Sequence, residues 1–508
     1  MLAKIHSVAI VGIDGVPCEV EVDCTDGLRR FDVVGLPDAA VKESEPRVQA
    51  ALSNGGFLFP IKRVTVNLAP ADIRKEGPAF DLPIAVGLLA ASEQLPADRL
   101  GDFVMLGELA LDGSVRKVRG VLAAAMSAAA RNIPNILVPA ANANEAAVVP
   151  GLTVYGVRSL ADAVGLLTGA KAVPPTTVDL SAVFRTESVY DVDFAEVKGQ
   201  DHAKRALTVA AAGHHNLLML GPPGSGKTMI AKRLPTVLPE LTPEESLETT
   251  RIYSALGLLP AGKSLMAVRP VRSPHHTTSA AALVGGGSIP QPGELSLAHH
   301  GVLFLDEFPE FSRACLEILR QPLEDGKVTI ARVHSSLTFP AEVMLVAAMN
   351  PCPCGHSGDP TKQCRCSPAE VQRYMNKLSG PLVDRIDIHV EVPAVPYAKL
   401  RDDRPGESSA ALRDRVMRAR EIQRRRFKDP KGTNARMKPA QLRQCCRLDD
   451  AGEALLKQAV EQLSLSARAH DKILRVARTI ADLEGAADVK DHHVLEAVQY
   501  RKLDRMRK

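Results

Sequence analysis

The chain has 508 residues, enough for two to four domains that each bury a core. Mean hydropathy near zero, 24% charged residues and no apolar run of spanning length argue against a membrane protein and for a soluble one. The net charge of +4 hides a concentration of eleven basic against three acidic side chains over residues 411–440. The start, "MLAKIHSVAIVGIDGVP", lacks a long apolar stretch and a cleavage site, so no signal peptide is expected and the compartment reads as cytoplasmic.

Along the chain, "CEVEVDC" (18–24) alternates strictly and reads as a half-buried strand with Cys18 and Cys24 on its core face. "VTVNLAP" (64–70) reads as a second strand, while 81–95 and 119–133 read as helices rich in Ala and Leu. These elements predict an α/β domain over 1–168, followed by a Pro-containing linker over 169–191.

The apolar run Leu217 to Leu220 then reads as a buried strand. Gly221, Pro222, Pro223, Gly224, Ser225, Gly226, Lys227 and Thr228 match G-x-x-x-x-G-K-[ST], and a helical pattern follows. Strand, Gly-rich loop and helix in that order predict a phosphate loop. Its backbone N–H groups cradle phosphates, Lys227 reaches the β/γ-phosphates and the Thr228 hydroxyl ligates Mg²⁺. In "GVLFLDEF" (301–308) a second strand presents Asp306 for the Mg²⁺ shell and Glu307 to polarise the attacking water. A third, "VMLVAAMN" (343–350), ends in Asn350, suited to orient that water.

Immediately after Asn350, Cys352, Cys354, Cys364 and Cys366 lie within fifteen residues of a chain with nine cysteines. In a reducing compartment, two C-x-C pairs predict a structural Zn²⁺ site, with free thiols the competing reading and His356 a substitute ligand.

Together, Gly199 and Gln200, the phosphate loop, "DEF", the Asn350 strand, "GPLVDRIDIHVEV" and the terminal "SARAHDKILRVARTIADLEGAADVKDHHVLEAV" resemble the magnesium-chelatase-like AAA+ ATPases, and more closely their ComM (YifB) branch. The similarity spans nearly the whole chain. It implies an α/β architecture with an AAA+ core over 192–395 and, over 396–508, the basic segment and a C-terminal helical lid. It also implies ATP and Mg²⁺ as cofactors and a homo-oligomeric ring, usually a hexamer, acting on single-stranded and branched DNA. Position by position, the resemblance places Walker A at Lys227 and Thr228, Walker B at Asp306 and Glu307, and the first sensor at Asn350. It places the arginine finger at Arg385 and the second sensor at Arg475, with Arg468 and Arg478 on the same helical segment. It also places two insertions, 282–301 and the hairpin 324–343, at the pore, where Lys327, Arg332 and His334 would meet phosphates.

The N-terminal domain resembles the Lon proteolytic (ribosomal S5 domain 2-like) fold. "GPAFD" sets Ala79 where that fold carries its serine, and the following helix sets Leu122 where it carries its lysine. Neither side chain attacks a carbonyl or takes a proton, so the hydrolase is expected to be lost.

The expected function is an ATP-driven DNA motor, for branch migration or unwinding, in recombination of incoming single strands during natural transformation. The basic segment suits backbone contact, and a chain without Trp suits base stacking poorly. A metal-chelatase motor subunit and a protein-remodelling ATPase are the alternatives; "VGGGSIP" lacks the aromatic that grips peptides.

Overall fold

The computed structural model describes residues 2–187, 190–260, 262–287, 290–331, 336–358, 362–395, 399, 406–463 and 465–501. The chain forms two compact units, Met1–Ser188 with Thr242–Ala267, and Val189–Leu241 with Val268–Lys508.

The first unit is built on a seven-stranded mixed sheet. Its strands run in the order Arg30–Val34, Arg63–Ala69, Asp14–Thr25, Leu2–Val11, Phe103–Met105, Asn135–Pro139 and Thr153–Val157. Strict alternation does what the sequence predicts: Cys18, Val20, Val22 and Cys24 are buried, the residues between them less so. Helix Asp81–Ala91 is buried at every position, which follows from its composition, DLPIAVGLLAA.

Two boundaries differ from the sequence reading. The stretch 169–191, expected as a linker, contains helix Leu180–Glu187, and Leu180, Val183 and Phe184 pack against a buried cluster of the first unit. The range 192–395, expected as one ATPase core, gives up residues 242–267 to that unit. Helix Pro243–Leu256, opened by a full capping box at Thr242 and Glu245, packs on helix Val121–Ala130. The reason is burial: Leu247, Leu265 and Ala267 join the cluster around Leu122.

The second unit holds a five-stranded sheet in the order Val271–Arg272, Val302–Leu305, Met344–Met349, Leu217–Leu220, Ile388–Glu391, with neighbours parallel throughout. Leu217, Met219, Phe304 and Val346 face one core, and Leu218, Leu220, Leu303 and Leu345 face the other. Burial on both faces explains why these strands read as continuous apolar runs. The C-terminal helices Ser409–Phe427, Asp450–Leu463, Ala467–Glu484 and Asp491–Gln499 extend the first of these cores. Among the described residues, no helix is long and apolar enough to cross a membrane.

Candidate nucleotide site, arginine pocket and cysteine cluster

Parallel strands put their C-terminal ends on one edge of the sheet, and three of the expected groups gather there. Lys227, 8% exposed, opens the helix that follows the Leu217–Leu220 strand. Its Nζ donates to the carbonyls of Gly221 (2.8 Å) and Pro222 (2.9 Å) and reaches Asn350 Oδ1 at 3.4 Å. Burial lowers the lysine pKa, and the nearby Asp306 carboxylate opposes that shift. An ammonium held only by carbonyl oxygens is poised to take an anion in their place. The loop's shape depends on glycine: Gly224 and Gly226 have φ of 78° and 92°, and a Cβ on Gly221 would lie 2.1 Å from the Val392 carbonyl oxygen.

Across the loop, Thr228 Oγ1 donates to Asp306 Oδ2 at 2.7 Å, the hydroxyl and carboxylate that would share a Mg²⁺ shell. Glu307 has φ 51°, and its Oε2 lies 3.0 Å from His276 Nδ1. His276 went unnoticed in the sequence. It follows the edge strand Val271–Arg272, which pairs with the strand carrying Asp306 and Glu307, and the only hint was the pair His275-His276 in "SPHHTTS".

Arg385 lies elsewhere. It precedes the Ile388–Glu391 strand, parallel to the strand whose far end carries the phosphate loop. At about 3.3 Å per residue, the four-residue strand alone separates the two sheet edges by about 13 Å. Arg385, Arg436, Arg468, Lys472 and Arg475 instead line a pocket of about 490 Å³ on this opposite edge. Arg475 Nη2 donates to the Met437 carbonyl at 3.0 Å, and its Nε is buried without a hydrogen-bond partner among the described residues. Arg478 is a lid-internal residue, 2% exposed, bonded to Asp482 and to the carbonyls of Ala486 and Ala487. Arg385 pairs with Glu324 at 2.8 Å.

A buried network stands behind this pocket. Lys472 Nζ is 2.7 Å from Asp387 Oδ1, and the Asn216 backbone N–H donates to Asp387 Oδ2 at 3.0 Å. Burial alone would raise the Asp387 pKa, but Lys472 and His215 outweigh it and hold the carboxyl ionised.

The cysteine loop hangs from the Asn350 end of the sheet. Cys352 Sγ lies 3.4 Å from Cys354 Sγ and 3.7 Å from Cys364 Sγ, with Cys354 to Cys364 at 3.6 Å, and all four thiols gather within 4.8 Å. Four thiolates about 2.3 Å from a tetrahedral Zn²⁺ would stand about 3.8 Å apart, so the set fits that ion with little movement. The backbone N–H groups of Arg365 and His356 hold the Cys354 thiol down at about 6, which favours the ligating thiolate. His356 contributes to this arrangement through its backbone. Gly355 backs onto the phosphate loop: a Cβ there would come within 2.5 Å of Pro223 Cδ.

Two further expectations meet the structure. Ala79 and Leu122 share one apolar cluster with Leu247 and Leu265, and Leu122 is fully buried. In the basic segment, Arg413, Arg415, Arg425, Arg426 and Arg436 pair with Glu240, Glu407, Glu421, Asp482 and Glu342, so much of its excess charge is balanced locally. Lys327 opens the first strand of the hairpin Lys327–Ala331/Ser336–Pro340 and is exposed; Arg332 and His334 lie outside the described residues.

Comparison with known proteins accounts for this combination. The profile for magnesium chelatase, subunit ChlI, matches residues 193–400, that for subunit ChlI of Mg-chelatase matches 20–142, and the ChlI C-terminal profile matches 406–501. The chain is 46% identical to Competence protein ComM of Haemophilus influenzae over 509 residues, covering 99% of this chain and 98% of the relative. The chain belongs to the ComM/YifB branch of the magnesium-chelatase family. Protein YifB of Escherichia coli is 43% identical over 508 residues, with 99% and 98% covered. The magnesium-chelatase 67 kDa subunit of Chlorobaculum parvum is 29% identical over 166 residues, 32% of this chain and 23% of that protein. Membership in this AAA+ family implies an ATPase that uses ATP with Mg²⁺.

Proposed function

We propose that the chain is a ring-forming DNA motor that uses ATP to migrate branches or unwind DNA while incoming single strands recombine. The observation that carries this reading is the division of the ATPase unit into two edges. Phosphate-binding groups occupy one edge of the sheet, and Arg385 with Arg475 occupies the other. An arginine that far from its own phosphate loop would reach a nucleotide only in an adjacent copy, where it would neutralise charge on the transferring phosphoryl. Each site is then completed by a neighbour, which couples hydrolysis to motion around the ring. DNA as the substrate is supported by the full-length likeness to a competence protein and by the exposed Lys327 at the head of the hairpin.

At the site, Glu307 would take the proton of the attacking water, Asn350 would orient that water, and Lys227 would balance the phosphate charge. Bound Mg²⁺ supplies charge neutralisation at the phosphates. The cysteine loop, with Zn²⁺ held by Cys352, Cys354, Cys364 and Cys366, would brace Asn350 and the phosphate loop from behind.

The test is ATP turnover of the purified chain with no DNA, single-stranded, duplex and branched DNA. Stimulation greatest with branched or single-stranded DNA is expected. Equal turnover in all four conditions would remove DNA from the reading.

A further inference from the structure

Each of the three side-chain nitrogens of Arg385 is engaged. Its Nε donates to the Arg320 carbonyl at 2.9 Å, Nη1 to the Pro381 carbonyl at 2.7 Å, and Nη2 pairs with Glu324 Oε1 at 2.8 Å. The side chain is 11% exposed, against 48% for Glu324. A guanidinium meets a phosphate through its planar fork of N–H groups. The stowed position spends that fork on Pro381 and Glu324, so Arg385 must leave Glu324 before it serves a neighbouring site.

Two of the three partners belong to one element. Arg320 and Glu324 lie on helix Arg320–Asp325, which passes through Gly326 straight into the first hairpin strand. The hairpin's other leg is tied to the same pocket, because Glu342, just beyond the second strand, pairs with Arg436 at 2.7 Å. Carboxylates at both ends of the hairpin thus hold arginines that line the arginine pocket.

We propose that Glu324 is a positioning residue that stows Arg385 against the base of the hairpin, and that nucleic acid drawing on the hairpin releases Arg385 to the neighbouring subunit's phosphate. This rests on the trans role of Arg385 and the DNA contact of the hairpin argued above. The ion pair is half open to water, so it biases the position of Arg385 by a factor of a few rather than locking it. That is the strength a reversible catch requires.

The experiment compares kcat and KM for ATP in the full-length chain and its Glu324→Gln, Glu324→Asp and Glu342→Gln variants, with and without a four-way DNA junction. Glu324→Gln is expected to raise DNA-free kcat about threefold or more, leave KM unchanged and shrink the stimulation by DNA. Glu324→Asp, which keeps the charge, should restore most of that stimulation. Glu342→Gln should move DNA-free kcat in the same direction by less, giving a second reading of the same catch. A purely structural role would lower both rates together, and that result, or an unchanged stimulation ratio in Glu324→Gln, overturns the latch while leaving the motor reading intact. If DNA fails to stimulate the unmodified chain, the motor reading and the latch fall together.

Discussion

In the proposed reading, Lys227 serves nucleotide binding and Glu307 serves hydrolysis. Lys227 sits among carbonyl oxygens with Asp306 nearby, so a phosphate would displace those oxygens to reach its ammonium. Lys227→Ala should weaken ATP binding tenfold or more, as read by titration with a fluorescent ATP analogue. Glu307→Gln keeps shape but not basicity. It should bind ATP within about threefold of the unmodified chain and lose about 10²-fold or more of turnover. Retained turnover in Glu307→Gln would move the base elsewhere. At this scale the sequence was informative where a motif is local: the phosphate loop, Asp306, Glu307 and Asn350 were all readable from a strand and its next residues. His276 and Glu324 were not, because their partners come from a neighbouring strand and from a residue about sixty positions away. Such contacts are set by strand order, which no local pattern encodes.

Among the elements, the cysteine loop is fastened to the sheet beside Asn350, and the lid helix Ala467–Glu484 is fastened to it through Asp387. The loop follows Asn350 and backs onto Pro223 through Gly355, so a metal held there would stiffen two walls of the proposed nucleotide site. Purified protein should carry about one zinc per chain. Replacing Cys352 and Cys364 by Ser should release it and cut ATP turnover about 10-fold or more with little loss of helical circular dichroism. Metal-free protein with unchanged turnover would contradict the bracing role. On the lid helix, Lys472 compensates Asp387, which is tied by Asn216 to the start of the Leu217–Leu220 strand. Lys472→Met should cost about 3 kcal/mol by leaving a buried carboxylate without its cation, measurable as a lower urea midpoint of the ATPase unit. Because Asp387 is held ionised in the fold, its contribution is present above the ordinary carboxylate range and disappears only as pH falls through its depressed pKa, so the deficit should persist at neutral pH. The lid was legible only through the resemblance of its terminal segment, 467–499, to the family. The capture of residues 242–267 by the first unit was not, since it depends on the apolar surface that Ala79 and Leu122 leave where the resembling fold carries polar catalytic groups.

At the scale of the whole molecule, a ring motor requires that one subunit complete another's site. Arg385→Ala should leave ATP binding nearly intact and remove about 10³-fold of turnover, as arginines acting in trans do. Mixed with Lys227→Ala subunits, it should regain partial activity, because some interfaces then pair an intact phosphate loop with an intact arginine. Absence of recovery in an assembled mixture would argue for action within one chain. The motor claim itself is tested most directly on a synthetic four-way junction given the unmodified protein, ATP and Mg²⁺. Release of paired duplex arms is expected, weakening as salt rises and absent with Glu307→Gln. Junctions that stay intact while ATP is being hydrolysed would contradict the account.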